Sequence, residues 1–231
     1  MECDPWSVLP KVWLSIGLPG LEAESTYRGI SLDKMPTIPI ELGDDLLWLQ
    51  TYGNCHPGNG LDRTDEFVKP LPPAAAIDLA TRLRISLPSS FMQFMTSPEL
   101  QSRIRSCTDC YLDPGQRIVG TVGAIPGHLL HFLSDSQSCA HWYLHVLTDG
   151  RSAVLESPDL YCYEIENSDW MENPACRLER IDLSNVEFYY CSKSFAEFLF
   201  RFWIENEIWF AVHVDEAKRP LSALEKAYLG R

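Results

Sequence analysis

Positive charge is what this chain of 231 residues has least of. Its 19 Lys and Arg stand against 32 Asp and Glu, for a formal net charge of -13. A grip on a phosphate backbone or an anionic lipid surface needs clustered Lys and Arg, so nucleic acid and membrane are excluded as expected partners. The same deficit favours a basic partner drawn in by long-range attraction. Long apolar runs are missing as well. The most apolar stretch, Phe195 to Val214, is cut by Arg201, Glu205, Asn206 and Glu207, well short of the roughly 18–20 uninterrupted residues of a membrane span. Met1-Glu2-Cys3-Asp4-Pro5 lacks the basic start and apolar core of a signal peptide. The 8 cysteines are scattered without the density of a disulfide scaffold, so they read as reduced thiols in a cytoplasm.

Catalytic fingerprints are also absent. There is no GxxxxGK[ST], no G-x-G-x-x-G opening a helix, no G-x-S-x-G and no H-E-x-x-H. Cys107-x-x-Cys110 has metal-ligand spacing, but structural zinc needs four ligands and this is half a set. Cys139 with His141, or His141 with His145, would be the nearest completion. A thioredoxin-like pair opens a helix after a strand, whereas this one trails a helix. The expectation is ordinary cysteines at a helix end, with no metal and no cofactor. His128 and His131 fall in a strand, where a spacing of three sends them to opposite faces and breaks them as a ligand pair.

Along the chain, the first seventy residues are rich in Pro, Gly and short apolar pieces and are expected to wrap the main body. A brief helix is expected within Asp44–Tyr52. Others are expected over Ala74–Leu83, after Leu87-Pro88, and from Ser97-Pro98, which has an N-cap followed by a first-turn proline. From Arg117 the pattern turns to strands: Arg117–Val122, Leu129–Leu133, His141–Thr148, Arg151–Ser157, Leu178–Val186 and Phe188–Cys191. Asp149-Gly150 suits a two-residue type I′ turn. That register pairs Leu144 with Leu155 and Val146 with Ala153. It assigns Trp142, Leu144, Val146, Ala153 and Leu155 to the core and leaves His141, Tyr143, His145, Val154 and Glu156 on an outer, amphipathic face. The strongest helix starts at Ser194, with Glu197 as capping-box partner. Phe195, Phe198, Leu199, Phe202, Trp203, Trp209 and Phe210 form its broad apolar arc, and Phe200, Ile204 and Ile208 a second stripe. A last short helix starts at Ser222 with Glu225.

The segment from Glu156 to Glu172 holds six carboxylates (Glu156, Asp159, Glu164, Glu166, Asp169, Glu172) and no Lys or Arg. Tyr161, Tyr163 and Trp170 are interleaved with them. A solvated loop explains this; so does a recognition surface on which acids steer a cationic partner and aromatics anchor it.

Leu87-Pro88-Ser89-Ser90-Phe91-Met92-Gln93-Phe94-Met95 resembles the LPxSFxxFL helix of the SUKH superfamily, the group of the fungal Smi/Knr cell-wall regulators and many bacterial proteins. Gly127–Asp135, then Trp142-Tyr143-Leu144 and Asp149-Gly150, look like its central strands. Ser194–Leu199, running on to Asn206, is similar to its C-terminal helix. The resemblance implies a single α+β domain over 71–231, with an antiparallel-rich sheet and helices packed against it, and residues 1–70 as a wrap that does not fold alone. It implies protein binding without catalysis, in bacteria commonly as an immunity protein that neutralises a toxin, often a nuclease. No catalytic residue carries over. The expected contact surface is therefore Glu156, Asp159, Tyr161, Tyr163, Glu164, Glu166, Asp169, Trp170 and Glu172, with Tyr143 beside it. The alternatives are an intracellular regulatory scaffold, or a zinc module or hydrolase built on the Cys and His residues.

Overall fold

The computed structural model describes residues 4–18, 26–56, 60–61, 72–161, 180–214 and 219–230. Two short strands, β1 (Val12–Ser15) and β2 (Arg28–Ser31), pair antiparallel near the N-terminus. Helices α1 (Leu47–Tyr52), α2 (Pro73–Arg82), α3 (Ser89–Thr96) and α4 (Pro98–Gln101) follow. Pro73 and Pro98 sit in first turns, where a missing N–H costs nothing. The Ser97 hydroxyl accepts the Leu100 N–H.

The main sheet holds β3 (Tyr111–Leu112), β4 (Val119–Val122), β5 (Gly127–Ser134), β6 (His141–Leu147), β7 (Ser152–Ser157), β8 (Arg180–Asp182) and β9 (Tyr189–Ser192). Its order is β8-β4-β5-β6-β7-β9, with β3 also on β5. β4 and β8 run parallel, and the other pairs of this sheet are antiparallel. The architecture is α+β.

Helix α5 (Phe195–His213) lies against this sheet. Ser194 caps it by accepting the Glu197 N–H, and its 19 residues give about 28 Å of helix. A helix apolar on all sides has to be covered on all sides. Phe198 and Phe202 pack on Trp142 of the sheet. On its other flank Phe200 meets Trp48 of α1 at 5.2 Å and Tyr228 of α6 (Ala223–Tyr228) at 6.1 Å. Phe200, Ile204 and Ile208 are all fully buried. The second stripe is therefore core. Trp209 lies only half-buried, outside the core expected for it.

Charged and amide side chains on α5 are buried with partners. Glu207 takes both guanidinium contacts of Arg105, at 2.9 and 3.2 Å, and a third from Arg219. Asn206 accepts the Cys107 N–H and donates to the Phe202 carbonyl. Glu197 pairs with Arg201, as the i,i+4 spacing predicts. The Ser222–Glu225 capping box on α6 is complete.

The β6–β7 hairpin corrects the expected register. Leu144 faces Val154 and Tyr143 faces Leu155. A type I′ turn needs positive φ at both central residues. Here Gly150 alone has it, at +89°. The chain instead closes a three-residue loop, Thr148-Asp149-Gly150, with the Leu147 N–H on the Arg151 carbonyl and the Gly150 N–H on the Leu147 carbonyl. Asp149 holds the loop by accepting the Arg151 N–H. One inserted residue moves β7 by one position, so Val154 joins Trp142 and Leu144 in the α5-side core and Leu155 goes to the other face.

That other face is a second core rather than a surface. Leu129, Tyr143, Ala153, Leu155, Tyr161, Ile181, Phe188 and Tyr190 fill it, with Trp6 from the N-terminus. Trp6 reaches the sheet through a directed chain: its indole N–H donates to His145 Nδ1 at 2.8 Å, and Thr121 Oγ1, 2.9 Å from His145 Nε2, donates to the Ile125 carbonyl. The hydroxyl has given away its proton, so His145 must donate from Nε2; the ring is neutral.

Candidate functional site

The sequence pointed to a recognition surface starting at Glu156, and the structure separates its members. Tyr143, Tyr161 and Glu156 are buried, at 0%, 1% and 2% exposure, and are corrected from contact residues to interior ones. The alternation that sent Tyr143 outward is right about its face. What it could not show is that residues 159–161 and 188 cover that face. The Tyr143 hydroxyl donates to the Asp159 carbonyl at 2.8 Å and accepts the Tyr161 N–H at 3.0 Å. Tyr161 stacks on Phe188 at 5.2 Å. Asp159 is half-buried and its carboxylate accepts the Tyr161 hydroxyl. Glu156 sits opposite Trp142 on the α5 side, flanked by β9. Burial, and then the Glu187 charge, push its carboxyl up to about 8. Tyr163, Glu164, Glu166, Asp169, Trp170 and Glu172 lie outside the described residues.

A polar cluster not anticipated from sequence lies beneath Tyr143. Ser134 Oγ donates to Asp113 Oδ2 at 2.7 Å and lies 3.1 Å from His131 Nε2 and 2.9 Å from His141 Nδ1. All four residues are at most 3% exposed. A β-bulge between His131 and Leu133 brings His131 and Ser134 to one face despite their spacing of three. Period-two reading has no signal for that bulge. His128 and His131 do point to opposite faces, one toward the partner residue Val146 and the other toward Tyr143.

Serine, histidine and aspartate in contact invite a nucleophile reading, and the proton order argues against it. In a catalytic triad the histidine takes the serine proton and the aspartate holds the histidine. Here the serine proton goes to the aspartate. His131 Nε2 is also 3.1 Å from the Leu133 carbonyl, which can only accept, so that nitrogen carries hydrogen. His141 Nδ1 then donates to Ser134 in turn. Neither histidine is free to act as base toward Ser134. Burial depresses both: His131 well below its ordinary value, and His141 to about 4 against the opposing pull of Asp135, a hydrogen bond to the Ser138 backbone and Asp159.

The cysteines form a third group. Asp135 accepts the Tyr27 hydroxyl at 2.7 Å and the Cys139 thiol at 3.1 Å, and Cys110 Sγ lies 3.3 Å from Thr108 Oγ1. Burial raises Cys107 to about 12 and Cys110 to about 11, and burial with the Asp135 contact raises Cys139 to about 12. Thiols held so high carry little thiolate at neutral pH and make poor nucleophiles. His141 Nδ1 is engaged by Ser134, while Cys139 and Cys110 both lie near Asp135. Among the described residues no group of three or more His, Cys, Asp or Glu is placed to hold a metal ion.

Open concavities lie away from the Ser134 and His145 clusters. One of about 540 Å³ is walled by Cys107, Asp109, Gln137, Trp209 and His213. Another, of about 580 Å³, runs between residues 32–42 and the start of α5. Neither reaches Ser134, His131 or His145. No helix among the described residues is long and apolar enough to cross a membrane. No family model, no curated protein and no solved structure matches this chain.

Proposed function

We propose that this chain is a non-catalytic protein-binding domain of the SUKH kind, acting as an immunity protein that neutralises a basic toxin. The observation that carries the reading is where the reactive-looking side chains are spent. Ser134, His131, His141 and His145 are sealed, neutral and committed to hydrogen bonds that knit the sheet to its coverings. What remains to act among the described residues is surface, on a chain whose formal net charge is -13. Such a surface raises the encounter rate with a cationic protein, while buried aromatic contacts set the rate of dissociation.

The test is to express the product of the neighbouring reading frame and measure its binding to the full chain. A tight one-to-one complex is expected, with an association rate that falls steeply as salt is raised. Glu164→Lys, Glu166→Lys and Asp169→Lys together should slow association at low salt and much less at high salt. Several weak partners in place of one tight one would favour the regulatory scaffold. Turnover of a small substrate, lost on changing one His or Cys, would overturn the reading.

A further inference from the structure

Glu205 lies on α5 at 2% exposure, and among the described residues its two oxygens are met by hydroxyls rather than by a cation. Ser15 of β1 donates to Oε2 at 3.1 Å, and Tyr228 of α6 donates to Oε1 at 3.3 Å. Arg201, one turn earlier, donates to the Tyr228 hydroxyl at 3.3 Å, so that oxygen stands between the guanidinium and the carboxylate. A carboxyl group buried in this way keeps its proton past the usual range. Burial raises Glu205 to about 7, against the pull of the Trp13, Ser15 and Tyr228 contacts and of Arg201. The other ionisable groups near it are Cys107, Tyr228 and Tyr27, the last lining a small cavity with it, and burial holds all three neutral at pH 7. β1 contributes only Trp13 and Ser15, which do not ionise.

One carboxyl group thus joins both ends of the chain to α5, and the two ends are held differently. β1 is stitched into sheet: it pairs with β2, and just before it the Pro10 carbonyl accepts the Tyr190 N–H of β9. α6 has six residues, well below the roughly 12–15 at which a helix is marginal by itself. Among the described residues its backbone hydrogen bonds are local, and side chains dock it. Tyr228 packs on Phe200, and Arg219 ties Glu225 to Glu207. Against their burial, Arg219 and the Ser222 N–H hold Glu225 below the ordinary carboxylate value, as His56 and Arg105 do for Glu207. Those two carboxylates are therefore ionised throughout pH 5.5–8. Glu205 instead changes charge within that range.

We propose that Glu205 makes α6 a pH-sensitive latch, docked firmly on α5 in mild acid and released more readily as pH rises through neutrality, baring Phe200 as an apolar surface. Undocking opens Glu205 to water, where it releases its proton above about 4.5, whereas docked it keeps that proton to about 7. Between these values each pH unit favours the undocked form by up to about tenfold, and above about 7 the effect levels off. A short terminal helix held by side chains is the kind of unit that opens without the rest of the fold.

The test is hydrogen–deuterium exchange of the full chain at pH 5.5 and pH 8, with rates corrected for the intrinsic pH dependence of exchange. Protection over residues 222–230 should fall about tenfold with the rise in pH, while β5 and β6 hold theirs. Glu205→Gln keeps the shape and cannot ionise, and should remove that dependence. His56, beside Glu207, is untouched by this substitution, so a pH response that survives it would overturn the assignment. Carbon-13 spectra of the unaltered chain need no variant: the Glu205 carboxyl carbon should titrate with a midpoint near 7. Protection over 222–230 that holds steady, a loss shared equally by β5 and β6, or a Glu205 midpoint near 4.5 would each overturn the inference.

Discussion

The two faces of the sheet bury ionisable groups of opposite kind, and they respond to pH in opposite directions. On the α5 side lie Glu156 and Glu205, which burial raises to about 8 and about 7. On the other side lie His131, His141 and His145, which burial depresses, the last two to about 4 and about 3. Both faces hold their groups neutral at pH 7 or near it, because a buried charge without full pairing costs more than a shifted proton. For the acids the folded chain keeps protons that the unfolded chain releases above about 4.5. Their favourable contribution is fully present below that value and is lost as pH rises toward 8. For the histidines the unfolded chain takes up protons below about 6.5 that the folded chain refuses. Their contribution is present above that value and is lost as pH falls toward 4 and 3. Glu207 shows the other solution on the same helix: buried as deeply as the rest, it is held below its ordinary value because His56 and Arg105 outweigh its desolvation.

The largest effect expected tests the apolar framework in which both sets sit. Phe202 stacks on Phe198 at 5.9 Å and packs on Trp142. Phe202→Ala should cost about 3–5 kcal/mol in denaturant unfolding, at any pH where the chain is folded. A cost that vanished would mean the α5 face is not a fixed core.

Next comes the acid side. Glu156→Gln should leave stability nearly unchanged at pH 4 and raise it by about 2–4 kcal/mol at pH 8–9, where the unaltered chain bears the cost of a buried carboxylate. Equal stabilisation at both pH values would show that Glu156 is not neutral in the fold. Trp6→Phe removes the indole N–H that donates to His145 Nδ1 and should cost about 1–3 kcal/mol. It should also steepen the acid limb by opening that nitrogen to a proton. Gly150→Ala, at φ +89° with open space around it, should cost about 1 kcal/mol or slightly more and leave the pH profile unmoved.

Much of this was legible in the chain because local chemistry decided it. Ser97-Pro98 and Ser222 with Glu225 start helices where they stand, and Ser194 caps α5. The all-round apolar character of that helix required cover on every side. The hairpin register was not legible, since choosing between a two- and a three-residue loop turns on whether Asp149 tolerates positive φ. Nor was the Ser134 cluster: it depends on a bulge at Phe132, set by tertiary pairing. The recognition surface misread Tyr143, Tyr161 and Glu156 for a related reason. Polar and aromatic residues on an outer face, such as Tyr143 and Tyr161, look alike in sequence whether water or a second core lies above them, and Glu156 was carried to the α5 side by the inserted loop residue.

The account depends most on the histidines being neutral donors locked into structure rather than bases facing a substrate. Long-range ¹H–¹⁵N spectra of the full chain, recorded from pH 8 to pH 5, read this directly. The account predicts that His131 and His145 carry hydrogen on Nε2 and His141 on Nδ1, with none of the three titrating across that range. A midpoint near 6.5 for any of them, or an unprotonated nitrogen facing Ser134, would contradict it.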